Sequence, residues 1–304
     1  MWLKMLIWLI CVVLLIILAY YVINPSPLKL IVLKTFAEAN YTPNQNAEIL
    51  NLYTIYKSPK PPTPSNNINY LHRDTSNKNL IVMFVGGAFL FGDCRNVLGI
   101  GNYLNDLFKE RYDIVTFDYP VRFKYTLKDT MLHINKVLIN FIMYENIHVV
   151  SISAGTLLAG AFYRKEQDIN VSRRMQIPQI GIRFKSFIGL SGLYETTFNS
   201  DVLTSLFRFY IMRGTPGIEH YTCFGIDLPK LIITATSDFL FAQSVKFIQN
   251  ESNVEHEIYR NKHLPHAFMQ LMNLDESQKS MTQIYNFIER IDKENNNNKQ
   301  YSIV

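Results

Sequence analysis

The sequence predicts an α/β fold in which helices flank a mostly parallel central sheet. Short apolar runs alternate with segments whose apolar residues recur at helical spacing, and this alternation is typical of βα units. The six apolar runs that we expect to be strands are 80–85, 114–117, 147–150, 187–190, 231–235 and 254–259. Two predicted helix faces consist of Met131, Ile134, Leu138 and Phe141, and of Met281, Ile284, Tyr285 and Ile288.

Length and composition limit the classes of protein to which this chain can belong. A chain of 304 residues that is 48% hydrophobic is long enough for one large domain with appendages. The net charge is only +5, and the basic residues are scattered rather than grouped in a stripe. A nucleic-acid partner is therefore not expected.

The three cysteines, Cys11, Cys94 and Cys223, are too few for a disulfide framework. Cys94 and Cys223 could pair with each other or could both be free thiols, so the sequence leaves the redox compartment open. We expect neither a metal ion nor a cofactor.

The amino-terminal segment predicts a membrane helix. Residues 5–23 include no charged side chain, and a helix of about 20 apolar residues spans a bilayer. We therefore predict that residues 1–27 are an uncleaved anchor, with a cleaved signal peptide or a buried core helix as alternatives. Lys4 on one side nearly balances Lys29 and Lys34 on the other, so the orientation in the membrane stays open.

The remaining chain divides by composition. Residues 28–79 are predicted to be a linker or amino-terminal extension, because the Pro-rich stretch 57–67 excludes helix and central strand. Residues 80–292 carry the α/β pattern. Within them, 194–226 lacks the alternation, is rich in aromatic residues and is expected to be a cap insertion. Residues 293–304, with four consecutive Asn, are expected to be a disordered tail.

Ser153 lies where a predicted strand, 147–150, gives way to a predicted helix. A serine on such a turn can be a nucleophile, because its oxygen is exposed and the amino end of the helix favours developing negative charge. The small neighbours Ser151 and Gly155 would permit the close backbone approach that this turn needs. The alternative is that Ser153 or Ser151 only caps the helix.

Asp238 and His266 follow later strands. Asp238 comes directly after the run 231–235, where a carboxylate could orient a histidine, although it could equally cap the next helix. His266 lies about seven residues past the last strand and could accept a proton from Ser153. His263 is close enough along the chain to compete for this role, and a solvated loop histidine is the third possibility.

A glycine pair follows the first strong strand, in the stretch FVGGAFLFGD at 84–93. Glycine permits the close approach and unusual φ by which backbone N–H groups converge on one oxygen. The alternative is an ordinary tight turn. Each of these four features is weak alone, but all four lie at predicted strand ends. The three polar residues are of the types that acyl transfer needs, and they occur in the chain order Ser, acid, His.

Together these features resemble the hormone-sensitive-lipase-like group of α/β-hydrolase esterases, over about two-thirds of the chain. That family has an HGGG or HGGA oxyanion motif followed by an aromatic residue, a DYR element, a GxSAG elbow, a DPL acid loop and a PHGF histidine motif. The counterparts here are VGGAF at 85–89, DYP at 118–120, SISAG at 151–155, DFL at 238–240 and PHAF at 265–268.

The resemblance implies a role for each matched residue. Ser153 would be the nucleophile, Asp238 the acid and His266 the base. The implied oxyanion donors are the N–H groups of Gly87, Ala88 and Ala154, with Gly86, Ser151 and Gly155 in support.

The resemblance also implies an activity and a location. Similar anchored proteins, the arylacetamide and steryl deacetylases, carry one amino-terminal membrane helix. We therefore expect a single-pass membrane esterase whose substrate is a small apolar ester or lipid, with the endoplasmic reticulum as a candidate location. Asn40, Asn170 and Asn250 begin glycosylation sequons, but chance alone accounts for about three, so they leave the side of the membrane open.

Two departures from the family pattern keep other functions open. Ser151 replaces the first glycine of the elbow, and Val85 replaces the histidine that supports the oxyanion loop in the family. Loss of one oxyanion donor's geometry can slow a reaction by about 10²–10³. The alternatives are therefore an amidase or formamidase with the same triad, and a catalytically weak, hydrolase-like binding protein.

Overall fold

The computed structural model describes residues 68–72, 74, 76–89, 94–120, 125–196 and 212–301. The predicted membrane anchor, the Pro-rich part of the predicted linker and the middle of the predicted insertion lie outside these residues. Within the described part of the chain, no helix combines the length and the apolar character needed to cross a bilayer.

Seven strands of the described residues form one sheet in the order β1-β3-β2-β4-β5-β6-β7. Strands β2 to β7 pair in parallel, and β1 pairs antiparallel with β3. The strands are β1 (Ile68–His72), β2 (Asn79–Phe84), β3 (Asp113–Phe117), β4 (Asn146–Ile152), β5 (Ser186–Leu190), β6 (Lys230–Ala235) and β7 (Val254–Tyr259).

The predicted mostly parallel sheet is confirmed. Strands β2 to β7 match the six predicted runs to within two residues at either end. Every residue of β3, β5 and β6 is buried, as expected for parallel strands that are covered on both faces and therefore have continuous apolar sequences. The chain order reverses at β2, which lies between β3 and β4. In such sheets the crevice at the carboxyl ends of the strands is the usual position of a site.

Strand β1 lies within 28–79, the range predicted to be a linker. Its sequence, INYLH, has no apolar run and no Pro, so sequence periodicity could not identify it. It is an edge strand that pairs along β3, with Ile68 opposite Phe117. Backbone pairing with β3 therefore identifies this strand, which the sequence pattern alone did not.

Six α-helices connect or follow the described strands and flank the sheet. Helix α2 begins with a capping box, in which Thr126 accepts a hydrogen bond from the Asp129 N–H and Asp129 accepts one from the Thr126 N–H. The helices are α1 (Leu98–Phe108), α2 (Leu127–Leu138), α3 (Ala154–Gln167), α4 (Ile169–Met175), α5 (Phe241–Asn250) and α6 (Asp275–Tyr301).

Helix α3 follows β4 and is buried from Ala154 to Tyr163. Its centre packs so closely on the segment before β6 that a Cβ added at Gly160 would lie 2.5 Å from Cys223 Sγ. Cys94 and Cys223 are both buried, and no disulfide joins them to each other. Burial raises the pKa of the Cys223 thiol well above its ordinary value.

Helix α6 continues through residues 293–301, where the sequence predicted a disordered tail. Ile291 is the last buried apolar residue among those whose side chains the structure describes. Beyond that residue the helix has no breaking Pro or Gly, and each added residue extends the existing hydrogen-bond ladder, which costs less than starting a helix. The polar composition that suggested disorder is therefore also compatible with a helix.

A buried polar network ties α6 to the amino ends of the strands. His148 on β4 is fully buried, with Nδ1 2.8 Å from the Ser186 hydroxyl on β5 and Nε2 3.1 Å from Asp292 Oδ1 on α6. The Tyr112 hydroxyl donates to the other oxygen of the Asp292 carboxylate. Burial raises the pKa of Asp292. The hydrogen bond and charge of His148 and the hydrogen bond from Tyr112 lower it by more, so the pKa lies below its ordinary value.

We predict that Asp292→Asn lowers the free energy of unfolding at neutral pH by about 1–3 kcal/mol, since hydrogen bonds to a charged group are lost. The native pKa of Asp292 is depressed, so its stabilising contribution is complete above the unfolded pKa of about 3.9 and disappears as the pH falls through the native value. Urea unfolding of both proteins between pH 3 and 7 measures this difference.

The matched control is Asp106→Asn, which removes an exposed carboxylate from α1. It is expected to change stability by less than about 0.5 kcal/mol. Equal destabilisation by the two substitutions, or a difference that does not shrink in acid, would contradict this account of the network.

Candidate active site

Ser153 lies between the end of β4 and the first residue of α3, with φ 52° and ψ −123°. A positive φ is uncommon for a residue with a side chain and costs about 1–3 kcal/mol. Neighbouring segments hold this conformation: the Ser153 N–H donates to the Leu190 carbonyl at 3.0 Å, and its carbonyl accepts from the Leu193 N–H at 3.0 Å. The tight turn therefore projects the serine side chain away from the end of the strand.

Gly155 allows this turn to pack against the end of β2. A Cβ added at Gly155 would lie 2.4 Å from the carbonyl oxygens of both Phe84 and Val85, closer than real Cβ contacts occur. A side chain at this position would push the turn and the end of β2 apart. Ser151, in contrast, is part of β4 and has no positive φ, so a serine at this position causes no backbone strain. Its hydroxyl donates to the Ile188 carbonyl at 2.8 Å.

The structure brings Ser153, His266 and Asp238 into one chain of contacts. His266 Nε2 lies 2.9 Å from Ser153 Oγ, and His266 Nδ1 lies 2.9 and 3.0 Å from the two oxygens of Asp238. These residues are 113 and 28 positions apart in sequence. With a hydrogen on Nδ1, the imidazole donates to Asp238 and presents a lone pair on Nε2 to the serine hydroxyl.

Asp238 is buried, with 4% of its surface exposed. Burial raises its pKa, but the hydrogen bond and charge of His266, followed by the Ser191 hydroxyl and the hydrogen bond of the Leu240 N–H, lower it by more. The resulting pKa lies below the ordinary value, so the carboxylate is ionised at neutral pH. An ionised carboxylate in contact with Nδ1 favours the tautomer that leaves Nε2 free to accept a proton.

The contacts of Ser153, His263 and Asp238 show which of their alternative roles the structure supports. The Ser153 side chain makes no capping hydrogen bond to α3, and its hydroxyl contacts His266 instead. His263 is exposed, and its N–H donates to the Asn261 side chain. Asp238 does accept a hydrogen bond from the Leu240 N–H at 2.8 Å, so it stabilises the turn before α5 and also contacts His266.

The glycine loop after β2 runs beside Ser153. A Cβ added at Gly86 would lie 3.1 Å from Ser153 Cβ, so the loop backbone approaches the serine closely. Gly87, Ala88 and Phe89 have φ values of 115°, 51° and 59°. Among the residues that the structure describes, no acceptor receives a hydrogen bond from the Gly87 or Ala88 N–H. The Ala154 N–H begins α3 and so has no acceptor within the helix.

Tyr119 supports this loop. Val85, at the histidine position, is fully buried. The Tyr119 hydroxyl lies 3.0 Å from the Val85 carbonyl and 3.1 Å from the Gly86 carbonyl. Tyr119 itself is 5% exposed. The sequence placed it in a family-like DYP element but assigned it no role, because its hydrogen-bond partners are more than 30 residues away.

Ser191 is a site residue that the sequence did not indicate. It follows β5, is fully buried and has a φ of 46°. Its hydroxyl accepts a hydrogen bond from the Ala267 N–H at 3.2 Å, directly after His266, and it is one of the groups that lower the pKa of Asp238. Ser191 therefore connects the acid loop to the histidine loop. The only sequence signal was a polar residue at the end of a buried strand, in FIGLSG.

Comparison with known proteins finds similarity at the level of structure. No protein-family model matches the sequence, and no curated protein does. Esterase B from Lactobacillus rhamnosis, in a structure with a C6-C4 SN3 inhibitor, has a TM-score of 0.66 at 14% identity, covering 88% of this chain and 99% of that chain. An esterase/lipase from an uncultured bacterium has a TM-score of 0.57 at 12% identity, covering 88% and 99%.

A putative esterase from Staphylococcus aureus has a TM-score of 0.55 at 16% identity, covering 81% of this chain and 93% of that chain. At these identities the similarity concerns the fold. The chain has the α/β-hydrolase fold, with its parallel strands flanked by helices and with Ser153 on the turn after β4.

We predict that Ser191→Ala raises the pKa of Asp238 while leaving the protein folded, because the carboxylate loses a group that stabilises its charge. Nuclear magnetic resonance titration of ¹³C-labelled carboxyl groups measures this pKa. Ser191→Gly should raise it in the same direction, and since glycine adopts positive φ readily, agreement between the two variants assigns the effect to the hydroxyl.

Ser172→Ala serves as the control. Ser172 is a buried serine on α4 whose hydroxyl donates to the Ile177 carbonyl, so its loss should leave the Asp238 titration unchanged. An Asp238 pKa that is the same in the wild type and in both Ser191 variants would remove Ser191 from the site.

Proposed function

We propose that this protein is a serine hydrolase that cleaves carboxylic esters through an acyl-enzyme on Ser153. The observation that carries the proposal is the continuous set of contacts from Ser153 Oγ through His266 to Asp238, at 2.9 Å for each step. Hydrogen-bond distances of this length allow proton transfer without movement of the loops.

The proposed reaction has two stages. His266 Nε2 takes the proton of Ser153 as its oxygen attacks the ester carbonyl, and Asp238 stabilises the imidazolium that results. The imidazolium then returns the proton to the alcohol oxygen as the carbon–oxygen bond breaks, which leaves an acyl group on Ser153. A water molecule, activated by the same imidazole, hydrolyses this acyl-enzyme and restores the serine.

The negative charge that develops on the carbonyl oxygen needs hydrogen-bond donors. We assign this role to the N–H groups of Gly87, Ala88 and Ala154, which have no acceptor among the described residues. Ala154 directly follows Ser153, and Gly87 and Ala88 directly follow Gly86, whose backbone approaches Ser153 closely. The amino end of α3 adds a favourable dipole at the same position. Tyr119 fixes the carbonyls of Val85 and Gly86, so the loop has a support that does not depend on the missing histidine.

The proposed substrate is an apolar ester with a small acyl group and a hydrophobic alcohol. This substrate class follows from the resemblance to hormone-sensitive-lipase-like esterases. We propose that resemblance on the basis of the matched motifs between Val85 and Phe268. Among the structural neighbours, one esterase B structure is described with a tributyrin phosphonate, an analogue of an ester with short acyl chains. That neighbour supports a short acyl group.

We further propose that residues 1–27 anchor the protein in a membrane, because residues 5–23 are an uncharged run that is long enough to span a bilayer. Location in the endoplasmic reticulum follows from the resemblance to anchored deacetylases. Resistance of the full chain to extraction by alkaline carbonate, and loss of that resistance after removal of 1–27, supports the anchor. Complete extraction of the full chain would contradict it.

We predict that Ser153→Ala and His266→Ala each lower kcat/KM for 4-nitrophenyl acetate by at least about 10³, because the nucleophile or its base is lost. His263→Ala is the matched control, since it removes an exposed histidine three positions from His266 and should leave the rate unchanged. Release of 4-nitrophenolate measures all three variants.

Circular dichroism and thermal unfolding should show that the three variants fold like the wild type. A Ser153→Ala variant that keeps the wild-type rate would end the proposed mechanism. So would a His263→Ala variant that loses as much activity as His266→Ala.

A further inference from the structure

Phe239 is an exposed aromatic residue beside the candidate triad. It has 68% of its surface exposed, whereas its neighbours Asp238 and Leu240 are only 4% and 5% exposed. Its ring centroid lies 4.3 Å from that of the His266 imidazole, with 43° between the ring planes. One part of the phenyl ring therefore contacts the imidazole, and most of the remaining surface faces solvent.

This position departs from the family pattern. The acid loop of the resembling family reads DPL, and here the sequence is DFL. A proline at this position would offer a small aliphatic surface, whereas phenylalanine adds a flat aromatic ring. An exposed ring buries little apolar surface and therefore contributes little hydrophobic free energy to the stability of the fold. Packing of the fold thus does not explain the presence of this ring.

The contact with His266 indicates which part of a substrate would meet Phe239. If the proposed function holds, His266 Nε2 donates its proton to the oxygen of the departing alcohol, which must lie within about 3 Å of that nitrogen. The phenyl centroid is 4.3 Å from the centroid of the same imidazole. The alcohol oxygen and the phenyl ring would therefore both lie next to the same imidazole, which puts the group carried by that oxygen within reach of the ring. The acyl group extends instead from the carbonyl carbon that is bonded to Ser153.

We propose that Phe239 is a specificity-determining residue that forms a wall for the alcohol part of the ester and favours flat aromatic alcohols over saturated ones of the same size. The proposal rests on the proposed esterase function and adds a substrate class to it. Aromatic rings that contact one another gain about 0.5–1.5 kcal/mol beyond the area they bury. A saturated ring of equal size buries similar area but lacks this additional term.

The contact could instead serve only to hold the imidazole of His266 in place. In that case removal of the ring would slow the reaction for every ester by the same factor. A wall for the alcohol predicts a change in the ratio between two esters that differ only in the aromatic character of the alcohol. The two roles are therefore separated by selectivity rather than by rate.

The experiment compares benzyl acetate with cyclohexylmethyl acetate, which share the acyl group and have alcohols of nearly equal size. The proteins are the wild type, Phe239→Leu and Phe239→Ala, with kcat/KM as the measured quantity because it covers acylation, the stage in which the alcohol leaves. Since the side chain is mostly exposed, neither substitution should prevent folding.

We expect the wild type to prefer benzyl acetate. Both Phe239 variants should lower the ratio of kcat/KM for benzyl to cyclohexylmethyl acetate by about twofold to twelvefold, the range that corresponds to an aromatic pair. Met143→Ala is the matched control, because Met143 is an apolar side chain with 85% exposure just before the amino end of β4. This variant should keep the wild-type ratio.

An unchanged ratio, with both esters slowed equally or not at all, would overturn the proposed wall while leaving the esterase function intact. Failure of the folded wild type to cleave either ester or to react with 4-nitrophenyl acetate would overturn the esterase function and this proposal together. A ratio that falls equally in Met143→Ala would also overturn the role of Phe239.

Discussion

The backbone conformation of Ser153 is the constraint on which the site depends. With φ at 52°, the serine sits in a region that side chains usually avoid, and the surrounding chain must hold it there. The hydrogen bonds with Leu190 and Leu193 do so from the end of β5. The close packing of Gly155 on Phe84 and Val85 does so from the end of β2. The result is a hydroxyl that meets His266 rather than capping its own helix.

The parallel sheet explains how residues distant in sequence come together. The loops that follow five of the parallel strands all start at the carboxyl ends of those strands, and each contributes one part of the site. These parts are the glycine loop after β2, Ser153 after β4, Ser191 after β5, Asp238 after β6 and His266 after β7. At the amino ends of the strands, the buried network around His148 and Asp292 connects the last helix to the sheet. The candidate site and the stabilising network thus lie at opposite ends of the strands.

The sequence predicted the six parallel strands because their burial on both faces produces continuous apolar runs. It could not predict β1, an edge strand without such a run. For the candidate site, strand ends and residue types singled out Ser153, Asp238 and His266, and the structure brings these three together. Ser191 and Tyr119 were missed, because their contacts depend on φ values and on partners far away in sequence, which no local pattern records.

The central claim is that the turn after β4 makes Ser153 a nucleophile through His266. The most direct measurement is covalent labelling of the purified protein with a fluorophosphonate, followed by mass spectrometry of its peptides. The account predicts a single adduct on Ser153, which forms much more slowly in a folded His266→Ala variant. An unlabelled wild type, an adduct on another residue, or labelling at the wild-type rate without His266 would contradict it.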